Sequence, residues 1–436
     1  MYLEQLRLHN FRCFEDLNLE FHHQLTVLVG NNGAGKTAIM EGAAVAAGTL
    51  FVPMDNLYGR KITRADAHLK SFALGSTKDV QPQYPVTVTA SGTVEGRQGQ
   101  WIRSLNSEEG NTTFKDARFL TELGASYQER MRAGDSDLIL PIIAYYGTSR
   151  LWDYRWEKRL TALKTNTRTN GYTDCLEGTT NIKMMMNWFK RMTIQKYQRM
   201  EENLGGIPEL DTVYNAMCRC FEAVTGYQDV RMQYNLNTND LDVYYTNRKG
   251  LRMQIPLHQL SDGYKSTISL IADIAYRMAV LNPQLLDRVL EQTSGIILID
   301  EIDLHLHPAW QQRVLKDLTS IFPKVQFIVS THAPAVINSV RSENLLILKD
   351  YQILRVGNEV YGKDVKSVLN EIMGVAERPP EVAQMFQDFY VLMGESHYDE
   401  AEQMLDQIDK LRDYHDPEVA GCRVKLKLER MRGKRV

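Results

Sequence analysis

The chain opens on strand-like patterning. Leu3, Leu6 and Leu8 lead to Phe11, and Leu17, Leu19 and Phe21 then alternate with polar residues. Leu25-Thr26-Val27-Leu28-Val29 is nearly all apolar, as a central strand covered on both faces must be. A helix of small residues follows from Lys36 to about Gly48. Between residues 53 and 135, Gly and Pro interrupt alternating stretches such as Val86-Thr87-Val88-Thr89, which predicts a peripheral β region. Ile139 to Tyr146 predicts another core strand.

Beyond residue 150 the pattern turns polar, basic and helical as far as Gly226, most clearly over Ile182–Asn203. Short strands return at Val230–Tyr234 and Leu241–Tyr245. A helix over Asp262–Leu281, a strand at Ile296–Ile299, a helix over Ala309–Ile321 and a strand at Gln326–Val329 follow. Buried strands alternating with helices predict an α/β fold around a mostly parallel sheet. Past Gly374 only helices are predicted, over Glu381–Met393, Tyr398–Asp413 and Pro417–Arg432. Phe386, Phe389, Tyr390 and Met393 recur at helical spacing on the first, and Ala401, Leu405 and Ile408 on the second. The expected organisation is a head built from residues 1–149 and 229–374, with a peripheral β lobe. A basic helical lid at 150–228 interrupts it, and an all-helical C-terminal appendage follows at 375–436.

Composition narrows the class. With 43% hydrophobic and 24% charged residues the chain is an ordinary globular one. No apolar run approaches the ~20 residues that cross a bilayer, and Met1-Tyr2-Leu3-Glu4 does not open a secretory signal. The cysteines (Cys13, Cys175, Cys218, Cys220, Cys422) are scattered and read as reduced thiols. A cytoplasmic protein with no membrane partner is expected. A net charge of −3 excludes a chain that coats nucleic acid over its whole surface, though not one with a local basic patch.

Gly30-Asn31-Asn32-Gly33-Ala34-Gly35-Lys36-Thr37 fits G-x-x-x-x-G-K-[ST] between a buried strand and a helix. Such a loop wraps backbone N–H groups around phosphates at the positive end of a helix dipole. Lys36 is expected at the β- and γ-phosphates of ATP and Thr37 on Mg²⁺. Ile296-Ile297-Leu298-Ile299-Asp300-Glu301 places two carboxylates at the end of a central strand, where open α/β sheets bind ligands. Asp300 is expected to hold Mg²⁺, and Glu301 to act as general base for the water that attacks the γ-phosphate. Two surface acids capping a core strand would look the same. The downstream Ser330-Thr331-His332 favours chemistry, with His332 positioning water at the γ-phosphate. Leu260-Ser261-Asp262-Gly263-Tyr264-Lys265 opens a helix and offers a second anion-binding N-terminus. One P-loop leaves it no phosphate within the chain, which points to use in trans on a second copy.

These motifs together resemble the ABC-type ATPases, in their RecF/SMC-like branch, across Met1–Leu348. Asn10-Phe11-Arg12-Cys13-Phe14 is similar to the N-terminal strand and turn of that branch. The resemblance places Asp303 in the D-loop and Ser261, Gly263 and Tyr264 in the signature. It implies a homodimer that closes composite ATP sites, with higher oligomers possible. Asp262 stands where glycine is common and Tyr264 where glutamine is common. No Q-loop glutamine is identifiable in Tyr145-Tyr146-Gly147-Thr148-Ser149-Arg150, and Arg150 is a candidate substitute. Without a sustained heptad run there is no long coiled coil.

Asp300-Glu301-Ile302-Asp303-Leu304-His305-Leu306-His307-Pro308, with Tyr361-Gly362-Lys363-Asp364 through Met373-Gly374-Val375, is similar to a narrower group. It comprises bacterial ATPases once described only as virulence-associated, and the ATPase subunits of Septu-type and retron-linked antiphage systems. That resemblance implies a defence ATPase governing a separate nuclease subunit of the HNH type. No Toprim or His-Asn-His nuclease motif is evident in this chain, and His305 and His307 read as D-loop structure rather than metal ligands. A RecF-like repair ATPase acting directly on DNA, and a nucleotide-gated scaffold of very slow turnover, are the alternatives. Residues 150–199 carry eleven Lys/Arg against four acids, with Trp152, Tyr154 and Trp156 interleaved. Cations among aromatics suit DNA, and they suit a solvated lid as well. The basic tail beyond Pro417 reads as a solvated end.

Overall fold

The computed structural model describes residues 1–74, 77–148, 167–178, 182–355, 359–374, 378–411 and 417–433, in two compact units, Met1–Lys363 and Asp364–Val436.

In the first unit, β1 (Tyr2–Phe11) and β2 (Phe14–Glu20) form a hairpin, followed by β3 (Leu25–Gly30) and α1 (Lys36–Ala47). An exposed ribbon of β4 (Leu69–Leu74) and β5 (Thr77–Pro82) precedes β6 (Val86–Val94) and β7 (Arg97–Leu105). These last two join the hairpin in an antiparallel sheet of order β2-β1-β6-β7. The expected β lobe is therefore built partly from the chain's first strands. It also carries a helix that the sequence pattern did not predict, α2 (Arg118–Arg132). Only Leu120, Gly124 and Tyr127 of α2 are buried. Three positions in four turns, one of them glycine, make a weak periodic signal.

The head is organised by a second sheet of order β15-β14-β3-β13-β12-β8. Its strands β3, β8 (Ile142–Tyr146), β12 (Gly295–Ile299), β13 (Val325–Thr331) and β14 (Leu345–Lys349) run parallel, and β15 (Gln352–Arg355) closes one edge antiparallel. All residues of β8, β12 and β13 are buried, as strands covered on both faces require. Helix α1 lies between the two sheets, touching β1, β6 and β7 on one side and β3, β8, β12 and β13 on the other. Its small residues allow the close fit: a β-carbon at Gly42 would meet the Leu8 side chain at 2.6 Å.

The polar stretch supplies α3 (Ile182–Glu201) and α4 (Pro208–Thr225), then a three-stranded antiparallel sheet. Its strands are β9 (Gln228–Asn235), β10 (Asp240–Thr246) and β11 (Arg252–Pro256). Helix α5 (Asp262–Leu281) has the predicted bounds and packs on α3, α4 and β8. A short α6 (Val289–Gln292) leads into β12. The single helix expected over Ala309–Ile321 is instead two, α7 (Pro308–Gln311) and α8 (Val314–Ile321), separated by a turn at Gln312–Arg313. One turn of helix, α9 (Pro334–Ile337), follows β13.

The second unit holds α10 (Val365–Glu371), α11 (Pro380–Gly394), α12 (Tyr398–Lys410) and α13 (Pro417–Gly433). It starts ahead of the boundary expected at residue 375. Phe386, Phe389, Ala401, Leu405, Ile408, Val419, Cys422 and Leu426 make its own core. Tyr390 departs from the predicted apolar stripe. The residue is 44% exposed, with its hydroxyl 3.5 Å from Cys422 Sγ and Lys425 Nζ over its ring.

Candidate nucleotide site

The P-loop takes its shape from two left-handed glycines. Gly33 (φ 82°) and Gly35 (φ 102°) adopt backbone angles that side-chain-bearing residues rarely reach. Gly35 also rests against the Phe14 ring and Cys13, so the Asn10–Phe14 turn forms a floor beneath the loop. Asn31, Asn32 and Gly33 are exposed at its rim, and Ala34 donates its N–H back to the Asn31 carbonyl at 3.1 Å.

Lys36 folds onto its own loop, its Nζ donating to the carbonyls of Gly30 (2.8 Å) and Asn31 (3.1 Å). Burial holds its pKa below the ordinary lysine value, although Asp300, Glu301 and Asp303 pull the other way. A phosphate would both replace those carbonyls and restore the charge balance.

Strand β12 delivers the acids. Thr37 Oγ1 donates to Asp300 Oδ2 at 2.7 Å, and Ser330 Oγ donates to Asp300 Oδ1 at 2.5 Å. The same Ser330 hydroxyl accepts from the Glu301 N–H at 2.8 Å. Glu301 has a left-handed backbone (φ 48°), a conformation costing a non-glycine residue about 1–2 kcal/mol. The Ser330 bond helps to hold it. Asp303 Oδ1 accepts from Thr331 Oγ1 (2.5 Å) and from the His332 N–H (3.3 Å). Asn31, Asn32, Glu301, Asp303 and His332 line one open cleft of about 590 Å³. Burial, with Lys36 second, keeps the His332 pKa below 6.5 against the opposing carboxylates, so the imidazole is neutral at pH 7.

The cleft thus brings Asn31 and Asn32 of the P-loop together with Glu301, Asp303 and His332, and the hydrogen-bonded Thr37 and Asp300 could hold Mg²⁺ between hydroxyl and carboxylate. Ser261, Gly263 and Tyr264 do not line it. Ser261 is the exposed N-cap of α5 and makes no side-chain capping bond. A β-carbon at Gly263 would meet the His305 carbonyl at 2.6 Å. Asp262 pairs with Lys265 at 2.9 Å. Tyr264 turns its ring onto Trp310 (centroids 4.4 Å) and Phe221 (5.6 Å), a packing role that a glutamine would not fill. His307 caps α7 by accepting from Ala309 N–H, and no group of three metal-ligating residues exists among the described residues.

Sequence reasoning overlooked Ser330 and Thr331 as the hydroxyls that orient Asp300, Glu301 and Asp303. Two hydroxyl residues ending a buried strand were the available signal. Tyr145 is buried, which raises its pKa, and Arg60 lies over its ring at 5.6 Å. Arg150 and the aromatic-basic set Trp152, Tyr154, Arg155, Trp156, Lys158 and Arg159 lie outside the described residues. No helix among the described residues is long and apolar enough to cross a membrane.

Family models match both halves of this site. An "AAA domain" model covers residues 5–210, and one described as "AAA domain, putative AbiEii toxin, Type IV TA system" covers residues 228–338. The "Retron Vc95 probable ATPase" of Vibrio cholerae is 26% identical over 86% of this chain and 80% of its own length. The "Septu protein PtuA" of Bacillus thuringiensis is 22% identical over 89% of this chain and 88% of its own. Among solved structures, the SMC head domain from Thermotoga maritima aligns with 82% of this chain and all of its own, at 16% identity and a TM-score of 0.43. The P-loop rim, Glu301, Asp303 and His332 meet in one cleft, AAA-domain models match the sequence on both sides of it, and along most of its length the chain resembles the retron and Septu ATPases.

Proposed function

We propose that this chain is the ATPase subunit of a bacterial antiphage system, hydrolysing ATP·Mg²⁺ in a head-to-tail homodimer and thereby governing a separate nuclease that acts on DNA. The observation that carries the hydrolytic reading is the Thr37–Asp300 hydrogen bond of 2.7 Å, with Glu301 next in sequence in the same cleft. Phosphoryl transfer to water needs those parts: a phosphate cradle (residues 31–37), a Mg²⁺ site (Thr37, Asp300), a base (Glu301) and a water-positioning group (His332). A neutral His332 can accept from water or donate to a γ-phosphate oxygen.

Ser261 is exposed and Gly263 half-buried at the start of α5, outside the cleft, where this helix N-terminus is placed to complete a partner's site. Asp303 would stand at the same junction. The defence role follows the names of the retron and Septu relatives, which this chain matches along most of its length. The nuclease is expected to be a separate HNH-type polypeptide.

The test is steady-state ATP turnover by the purified chain, alone and with whatever polypeptide copurifies from its own operon. Mg²⁺-dependent turnover that changes with a copurifying nuclease supports the reading. ATP bound without turnover would leave only a nucleotide-gated scaffold, and stimulation by DNA without a partner would favour direct action on DNA. The second of these has one local support. Residues of this chain match the "DNA replication and repair protein RecF" of Ligilactobacillus salivarius at 49% identity, over only 11% of the chain.

A further inference from the structure

Three polar side chains sit deep in the first unit, away from the nucleotide cleft. Tyr146, Asp273 and Arg277 are each at most 2% exposed. Tyr146 ends β8. Its carbonyl accepts from the Asp300 N–H at 2.8 Å, and its hydroxyl donates to Asp273 Oδ2 at 2.8 Å. Asp273 lies on α5, and Arg277, one turn later, donates its Nε–H to the same oxygen at 2.7 Å. Arg277 Nη1 then donates to the carbonyls of Gly171 (2.9 Å) and Thr173 (3.0 Å).

Those carbonyls belong to a segment that lines β8. Tyr145 N–H donates to Cys175 O at 2.7 Å, Gly147 N–H to Gly178 O at 2.8 Å, and Tyr146 bridges Gly178 in parallel register. A β-carbon at Gly171 would meet Leu281 of α5 at 2.6 Å. One carboxylate therefore joins β8, whose Tyr146 carbonyl accepts from the Asp300 N–H, to the helix that Ser261 and Gly263 open and, through Arg277, to the segment running from residue 168 to 178.

Cohesion alone does not account for this choice. Burying an ion pair costs desolvation, and well-packed apolar residues of like volume hold a core as firmly. Asp273 Oδ1 is moreover buried with no hydrogen-bond partner. A carboxylate using one oxygen for two donors and leaving the other open has two ways to seat the same donors.

We propose that Tyr146, Asp273 and Arg277 form a positioning relay that carries the nucleotide state at Asp300 to helix α5 and to segment 168–178. The relay rests on the ATP reading above. When Mg²⁺·ATP takes Asp300 away from Thr37 and Ser330, the Asp300 backbone shifts against the Tyr146 carbonyl. The Tyr146 hydroxyl then reseats Asp273, and Arg277 follows. Ser261 and Gly263, at the free end of α5, are re-aimed toward the partner's nucleotide.

The experiment uses the full chain and two readouts: hydrogen exchange with and without Mg²⁺·ATP, and ATP turnover. Tyr146→Phe keeps the ring and deletes only the relay's donor. In the unaltered chain ATP should change protection in residues 262–281 and 168–178. In Tyr146→Phe that change should vanish while ATP affinity is kept, and kcat should fall about tenfold at constant KM. Arg277→Lys, which keeps the charge but loses the forked contacts, should lose the response in 168–178 and keep it in α5. An ATP-induced change that persists in Tyr146→Phe, or a variant that only melts earlier, overturns the relay. An unaltered chain that binds ATP with no exchange change in α5 overturns the relay and spares the ATP reading. An unaltered chain that binds no ATP sinks both.

Discussion

Thr37 and Asp300 stand 263 positions apart in sequence and share a hydrogen bond of 2.7 Å. One lies in the first turn of the helix after the P-loop and the other directly follows β12, and strand β13 lies between β3 and β12 to set their spacing. The threonine hydroxyl engages the carboxylate oxygen that a Mg²⁺ ion would share. Thr37→Val keeps shape and removes the hydroxyl. Turnover at limiting Mg²⁺ should fall by about tenfold or more, the worth of one hydrogen bond to a charged group. A Mg²⁺ titration of activity should shift to higher concentration, and an unshifted curve would remove Thr37 from the metal site.

Glu301→Gln should retain ATP and Mg²⁺ and lose at least about a hundredfold in kcat, since a general base contributes on that scale. The ATP-bound, self-associated form should then accumulate and be visible in sedimentation. Lys36→Ala should instead weaken ATP binding. Unchanged association of Glu301→Gln on adding ATP would count against closure of a dimer around the nucleotide.

Composite sites can be tested by mixing. A Ser261→Arg chain and a Lys36→Ala chain are each expected to be inactive, and their heterodimer contains one intact site. Recovered turnover, with about one nucleotide per heterodimer, supports sharing. Verified heterodimers that bind one nucleotide and stay inactive would show that both sites must act together, and heterodimers binding none would reject shared sites.

His332 gives the acid limb of activity its sign. Its pKa is lowered from 6.5, chiefly by burial and then by Lys36. Between the lowered value and 6.5 the unfolded chain binds more proton at this site than the folded one. The stability that His332 contributes is therefore present above 6.5 and is lost as pH falls through that window. Turnover per bound ATP should be level from about pH 7 to 8, where the ring stays neutral, and should decline below 6.5. His332→Gln should lower the plateau and flatten that decline. An acid limb unchanged in His332→Gln would assign it to another group.

A chain ending at Lys363 removes the whole second unit, which has its own core of Phe386, Phe389, Leu405 and neighbours. Every residue placed in the nucleotide cleft precedes that cut. ATP binding and turnover should persist within about twofold, a change worth well under 1 kcal/mol, while higher assembly or partner retention is lost. Size-exclusion and turnover assays decide it. An insoluble or inactive truncation would make the helical unit part of the head.

The sequence by itself determined the local parts. Gly33, Gly35 and Lys36-Thr37 could be read because a phosphate loop needs left-handed turns before a helix, and only certain residues satisfy both demands. The bounds of α5 were legible because Ser261 precedes a long apolar periodicity. The ends of β12 and β13 stood out as apolar runs stopping abruptly at polar residues. Tertiary structure alone decided which of these strands are neighbours. Parallel core strands of Val, Ile and Leu are interchangeable in pattern, so nothing local says that β13 lies between β3 and β12. The partnering of Ser330 with Asp300 and Glu301, of Thr331 with Asp303, and of Tyr146 with Asp273 follows from that order. A hydroxyl at a strand end carries no mark of its partner. It acquires one only when the sheet sets two strand ends side by side and burial leaves each polar group no water to bind.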